Sequence, residues 1–403
     1  MKTTRPLKTL SLAYLCATLT VGCASTQASA PKSAGVIPAG ALAAHPAVMG
    51  TRRTASAPTC SGSGAVSFIG AGALNVAAAN YDAVLDGYDN EVCDAQSSIG
   101  GGAGNVISSS GGVAFNSFIG GGAGNVITGT AQTGSIVGGT QNTLTGEYGV
   151  IAGGLNNNVS GEGGYIAAGG YNTLSGTGAV IDGGFNNVAA GSYGTVPGGY
   201  VNSAGGIYSF AAGARASAAQ TGTFVWSDGS DGDTILTSAH AYQFLARASG
   251  GYTLWTNAAS TVGATLAAGS GTWASASDRN MKTNVALVDD AAVLDKVARL
   301  PISRWSYITE RGVRHVGPMA QDFYAAFGVG EDDKHITSID EDGVALAAIK
   351  GLHAENASLR ALASSQAAQI AGLKTSQARH DLLVQRQLRR LSAAVAALRE
   401  RDR

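Results

Sequence analysis

The stretch "IVGGTQNTLTGEYGVIAGGLNNNVSGEGGYIAAGGYNTLSG", residues 136–176, says nearly the same thing three times over, and its reading decides the fold. Related units flank it: "IGGGAGNVISS" and "IGGGAGNVITG" before, "IDGGFNNVAAG", "VPGGYVNSAGG" and the degenerate "FAAGARASA" after. The last glycine of each cluster falls at 102, 122, 139, 154, 170, 184 and 199, so the period settles to 14–17 residues after one longer step. A unit this short cannot enclose a core alone; it reads as one rung of a solenoid that buries its apolar side against its neighbours. The glycines and asparagines suit tight corners, since both tolerate positive φ better than other residues. Ile or Val shortly before most of the glycine pairs supplies the inward β-branched side chain. Residues 99–220 are therefore expected to form a glycine-rich parallel β-roll.

Composition agrees. The chain has 403 residues, of which 58 are Gly, only 8 are Pro and 13% are charged, with a net charge of −1. Without the collagen period, that glycine content marks a punctuated repeat. The near-neutral balance gives no reason to expect nucleic acid as partner. Each rung offers only two or three large apolar residues, such as Ile136, Val137 and Leu144, which makes a thin core for one chain. Several chains around a shared axis would supply the missing burial. The last unit, "YSFAAGARASA" at 208–218, resembles the SxAxGxxAxA pattern of trimeric autotransporter adhesin heads. That resemblance implies a homotrimer, although GG and Asn stand where those heads favour Ala and Ser.

The N-terminus has the layout of a secretory signal over residues 1–30: Lys2, Arg5 and Lys8, an apolar run from Leu10 to Val21, then small residues. The run is too short to span a bilayer. Two exits remain open, a cut after the AxA ending at Ala30 or lipidation at Cys23 in "LTVGCAS", which resembles a bacterial lipobox with Thr20 in place of the usual Leu. The chain is thus expected at the cell surface as an outer-membrane lipoprotein or as a secreted protein, touching membrane only through such a lipid. Residues 31–65 read as a flexible linker and 66–98 as an entry segment. Cys60 and Cys93 are expected to form a disulfide there rather than a metal site.

Beyond the repeats, 221–272 lose the period and gain aromatics, as expected of a β-rich neck. "VDDAAVLDKVARL" at 288–300 has helical spacing and stops at Pro301, and a small α/β module is expected over 273–343. From 344 to 403 Leu352, Leu359 and Leu373 fall at multiples of seven, followed by Val384, Leu388, Leu391, Val395 and Leu398 in a shifted phase. This predicts one long helix in a coiled coil, with a stutter between 373 and 384. A single amphipathic helix folded back on the module is the competing reading.

The candidate chemistry lies in "WASASDRNMKTNV", residues 273–285. Ser277 and Lys282 are five apart, a spacing that fits no helical face and that chance supplies often. Read with its surroundings, however, "SDRNMK", "LDKVARLPISRWSY", "RHVGPMAQDF" and "DGVALAAIKGL" resemble, in that order, the peptidase S74 family, the intramolecular chaperone of endosialidase and related tail fibres. The resemblance implies a domain that trimerises, assists folding of the fibre before it and then cuts itself off through a Ser/Lys dyad. It assigns Ser277 as nucleophile, Lys282 as base and Ala276–Ser277 as the scissile bond, with Gly317, Ala320 and Gln321 matching a GxxAQ block. Asp322 and Phe323 depart from the Glu and Val usual there. A lysine acts as a base only when neutral, and removal from water favours the neutral form, so a trimer interface closing over Lys282 would switch the dyad on.

Asp278 reads as a turn or cap residue and His315 as structural. The run "SDGSDGDT", with Asp228, Asp231 and Asp233, lacks the spacing of a calcium loop and reads as a solvated turn. Tyr148, Tyr165, Tyr171, Tyr193 and Tyr200 could stack on a glycan, but packing from rung to rung is the plainer expectation. No metal or cofactor is expected. An uncleaved surface adhesin with the C-terminal module as a permanent trimer cap is the alternative function. A glycan-degrading tailspike is disfavoured, because nothing between 61 and 272 looks like a glycosidase.

Overall fold

The computed structural model describes residues 60, 64–109 and 115–401. The expected export signal, Cys23 and nearly all of the expected 31–65 linker lie outside the described residues. The chain divides between Ala274 and Ser275 into two compact units.

The first unit is the solenoid. Its chain alternates between a twelve-stranded sheet, running from Phe68–Ile69 to Phe244–Arg247, and an eleven-stranded sheet, from Val76–Ala77 to Leu236–Thr237. All pairings in both are parallel, rung on rung, as in Val150↔Tyr165 and Thr143↔Asn158. A third line of single parallel bridges, such as Thr140↔Leu155↔Gly170↔Phe185, makes each coil three-sided. Strands of two residues suffice because each contributes one inward side chain and is held by neighbours above and below. Ile136, Ile151, Ile166 and Ile181 stack from one sheet against Leu144, Val159 and Leu174 from the other, all fully buried. Towards the C-terminal end the column shrinks to Ala189, Ala204, Ala211 and Ala218.

Three expectations need correction. The coil begins at Phe68 and continues to Arg247, so the 66–98 segment and the first half of the supposed neck are rungs of the same solenoid. Only Gly251–Trp255, Gly263–Ala267 and Trp273–Ser275 form a separate three-stranded sheet. Second, the two glycines of a pair are not equivalent corner residues: at 169–170 the left-handed, close-packed position is Gly169. Gly139, Gly154, Gly169, Gly184 and Gly199 all have φ between 82° and 98°, and a Cβ on Gly154 would lie 2.2 Å from the Gly169 carbonyl oxygen. Gly170 instead occupies the bridge column of Leu155 and Phe185.

Third, the recurrent asparagine is not a corner residue. The left-handed corner belongs to the residue before it: Gln141, Asn156, Tyr171, Asn186 and Val201, with φ of 53° to 58°. The asparagines themselves form a buried ladder through the coil. Asn157 donates its side-chain amide to Asn142 Oδ1 (3.2 Å), Gly153 O (3.0 Å) and Gly169 O (3.1 Å). Its own Oδ1 accepts from the backbone and side-chain nitrogens of Asn172 at 3.1 and 3.0 Å. The ladder steps are 15 residues from Asn142 onward, after steps of 20 and 17 from Asn105 to Asn125 and Asn125 to Asn142. A fully satisfied amide costs little to bury, so polar side chains fill an interior too narrow for more aliphatics.

In the second unit, α1 (Asp290–Arg299) is capped by Asp289, which accepts from Ala291 N and Ala292 N, and it ends before Pro301. A short hairpin, Ser303–Trp305 with His315–Gly317, precedes α2 (Ala320–Phe327), which stops at the left-handed Gly328. The 64-residue α3 (Ser338–Arg401) follows without interruption. α1 lies against the first turns of α3, where a Cβ on Gly351 would sit 2.4 Å from Asp290 O, and Lys350 pairs with Asp290 at 2.7 Å. Among the described residues the buried apolar side chains of this unit are Val293, Phe323 and Ala348.

Candidate active site

The spacing of five between Ser277 and Lys282 is closed by a single 3-10 turn, Arg279–Met281. Asp278 caps it, accepting from Asn280 N at 2.9 Å and from the Asn280 side chain at 3.2 Å. Lys282 ends it, its backbone N–H donating to Arg279 O at 3.1 Å. The turn folds the backbone back so that Lys282 Nζ donates to Ser277 Oγ at 2.7 Å. Asp278 is thus the cap expected, and among the described residues it makes no ion pair with Lys282. Asn280 was not singled out from the sequence, although D-x-N is the signature of such a side-chain-capped turn. Ala276, Ser277 and Lys282 are all exposed in the single chain.

The GxxAQ block is spread over two elements: Gly317 ends the hairpin, while Ala320 and Gln321 open α2. Asp322 lies in the first turn of α2, where a carboxylate suits the helix dipole. Phe323 is core, packed on Phe327 at 4.9 Å between centroids. His315 stacks on Trp305 at 4.6 Å, and its Nε2 lies 3.1 Å from Glu310 Oε2, which is a structural placement.

Elsewhere, Cys60 and Cys93 are joined as a disulfide, with Cα atoms 5.9 Å apart. Glu91 comes within 4.8 Å of both sulfurs and accepts from Cys60 N at 2.8 Å. The three could be taken for metal ligands, but sulfurs bonded to each other offer no thiolate. The acidic run is a charge clasp and not a plain solvated turn: Arg215 pairs with Asp233 at 2.7 Å, and Arg247 pairs with both Asp228 and Asp231. Hydrogen bonds from Ser249 and Ser230 hold the Asp228 carboxyl well below the usual range. Of the five tyrosines, Tyr171, Tyr193 and Tyr200 pack ring to ring between rungs, while Tyr148 and Tyr165 lie exposed. Tyr171, Phe185 and Tyr200 form one stack and Tyr193 with Tyr208 another, at 5.1 to 6.2 Å between centroids.

Residues 277–329 match the family Peptidase_S74, described as the chaperone of endosialidase. The match begins at the serine of the dyad and ends just past α2, taking in three of the four sequence blocks. No curated protein matches the chain.

Proposed function

We propose that this chain is an exported homotrimeric fibre whose C-terminal module guides trimer assembly and then cuts the chain between Ala276 and Ser277. The observation that carries the reading is the 2.7 Å contact from Lys282 Nζ to Ser277 Oγ, at the start of the family match. In the reaction, neutral Lys282 takes the Ser277 hydroxyl proton and Oγ adds to the Ala276 carbonyl carbon. The C–N bond breaks as the proton passes to the Ser277 nitrogen, leaving an ester of Ala276 on Oγ. One water then hydrolyses the ester, giving an Ala276 carboxylate and a new N-terminus at Ser277.

Assembly supplies the switch. A lysine ammonium in water keeps its proton, whereas one covered by a partner subunit is pushed towards the neutral form. The scant core of the second unit favours the same reading. Leu352, Leu359, Ile370 and Leu373 all lie exposed along α3, on turns where a coiled-coil partner would cover them. The test is mass spectrometry of the purified wild type beside Ser277→Ala. A fragment beginning at Ser277 in the wild type alone is expected. A wild-type trimer that stays at full mass overturns self-cleavage and leaves an adhesin with a permanent trimer cap.

A further inference from the structure

The outer faces of the two sheets are built differently, and the third side of the coil exposes Tyr88, Leu155, Phe185 and Tyr200. On the twelve-stranded sheet the first residue of each strand and the second residue after it point outward, on either side of the buried position. Leu85, Phe118, Val137, Tyr165, Trp226 and Phe244 stand there, each exposed, and Val137 is 54% exposed although its sequence suggested a core residue. The smaller residues between them include Gly100, Gly120, Ala152 and Ala167. Along all twelve strands the single carboxylate or basic group at these positions is Asp182. The eleven-stranded sheet presents Thr143, Thr145, Asn158, Ser160, Thr173 and Ser175 at the corresponding places in its middle rungs. The first face is mostly apolar, interrupted by Ser98, Ser135, Asp182 and Thr195, while the other is polar along its central rungs.

We infer that this apolar face is where the solenoids of neighbouring copies of this chain meet, an inference that rests on the trimer proposed above. Strands spaced about 4.8 Å apart make the face roughly 55 Å long, far beyond the isolated apolar patches a monomer ordinarily exposes. Its relief, a large side chain beside glycine or alanine, recurs at the rungs of Phe68, Leu85, Phe118, Val150, Tyr165, Phe210 and Phe244. An occupant must be equally long and carry the same repeat, and a second copy aligned side by side about a parallel axis has both. A glycan fits less well at the end where the rings are densest. Phe210, Phe224 and Phe244 stack at 4.7 Å with planes within 6°, so their faces cover one another and only edges look outward.

The experiment uses the full chain carrying Ser277→Ala, with one added cysteine per variant: Val137→Cys or Tyr165→Cys on the apolar face, Asn158→Cys or Thr173→Cys on the polar one. All four positions are exposed in the single chain. Oligomeric state is read by native mass spectrometry, folding by circular dichroism and maleimide labelling peptide by peptide. In a trimer, labelling at Val137→Cys and Tyr165→Cys should be slower than at the other two by about 10-fold or more, as for side chains inside a dry interface core. A trimer in which all four label alike, or in which the polar-face pair is protected, overturns the face assignment and leaves the trimer standing. A folded chain that stays monomeric at micromolar concentration removes the trimer and this inference with it. If either apolar-face variant fails to fold, the labelling contrast is read from the other, so misfolding of one does not decide the question.

Discussion

The two units of this chain solve the problem of a small core in opposite ways. The solenoid fills its interior from one chain, with stacked Ile, Leu and Val and with an asparagine ladder that leaves no amide unpaired. Its rungs are individually too small to fold, but each is closed by the next. The C-terminal unit buries only a handful of apolar side chains and projects a 64-residue helix whose leucines face outward. The first is complete in its interior and unfinished on one face; the second is unfinished throughout. For the trimer proposed above, the drive to assemble would lie in the C-terminal unit, where the core is poorest.

The sharpest way to break that comparison is to spoil the helix alone. Leu352 and Leu359 are 49% and 56% exposed, so changing both to Asp removes no contact of the single chain's core. The expected outcome is total loss of the trimer and of cleavage, with the β signal of the solenoid retained by circular dichroism. Efficient cleavage by a proven monomer would show that the dyad does not depend on assembly.

A second substitution tests the solenoid from inside, within one glycine pair. Gly154 has φ of 97° and no room for a Cβ, whereas a Cβ on Gly153 meets nothing within 4 Å. Gly154→Ala should destabilise by about 3 kcal/mol or more, from the clash and left-handed strain together. Gly153→Ala should be close to neutral. Thermal melts of the two variants decide it, and equal effects would mean that the rungs are not stacked as described.

That asymmetry also marks the limit of what could be read from the sequence. Repetition of GG and Asn announced a solenoid, because a backbone that passes close to its neighbour at every turn admits only glycine there. Which glycine was required, and whether an asparagine held a corner or the ladder, depends on stacking between rungs that composition does not carry. The outer coils escaped notice for a related reason. Around Gly72 and Gly87 the pair is reduced to one glycine, and from Phe224 to Phe244 the step lengthens to a rung without Asn, so the pattern fades where the structure does not. The dyad was legible only through its resemblance to a family. A spacing of five means nothing until Asp278 and Asn280 are seen to fold it into a turn.

The smallest effect concerns the first rungs, where the interior holds charge instead of hydroxyls. Asp82 is almost fully buried, in the column that carries Ser97 and Ser117 in the next two rungs. Burial raises its carboxyl from 3.8 to about 6, against the opposing hydrogen bonds from Ala79 N and Ser97 N, and burial also raises Asp94 nearby. A folded-state pKa above the unfolded one means that the protonated acid favours the fold. Its contribution is complete below about pH 3.8 and is lost as the pH rises through about 6. The solenoid should therefore melt at a higher temperature at pH 5 than at pH 7.5, opposite to the usual behaviour of a carboxylate held by ion pairs. Asp82→Ser, which copies the neighbouring rungs, should flatten most of that dependence and leave a remainder from Asp94. If the variant keeps the full slope between pH 5 and 7.5, the charge on Asp82 is relieved by water that reaches the first coils, and the N-terminal end of the solenoid is less closed than its middle.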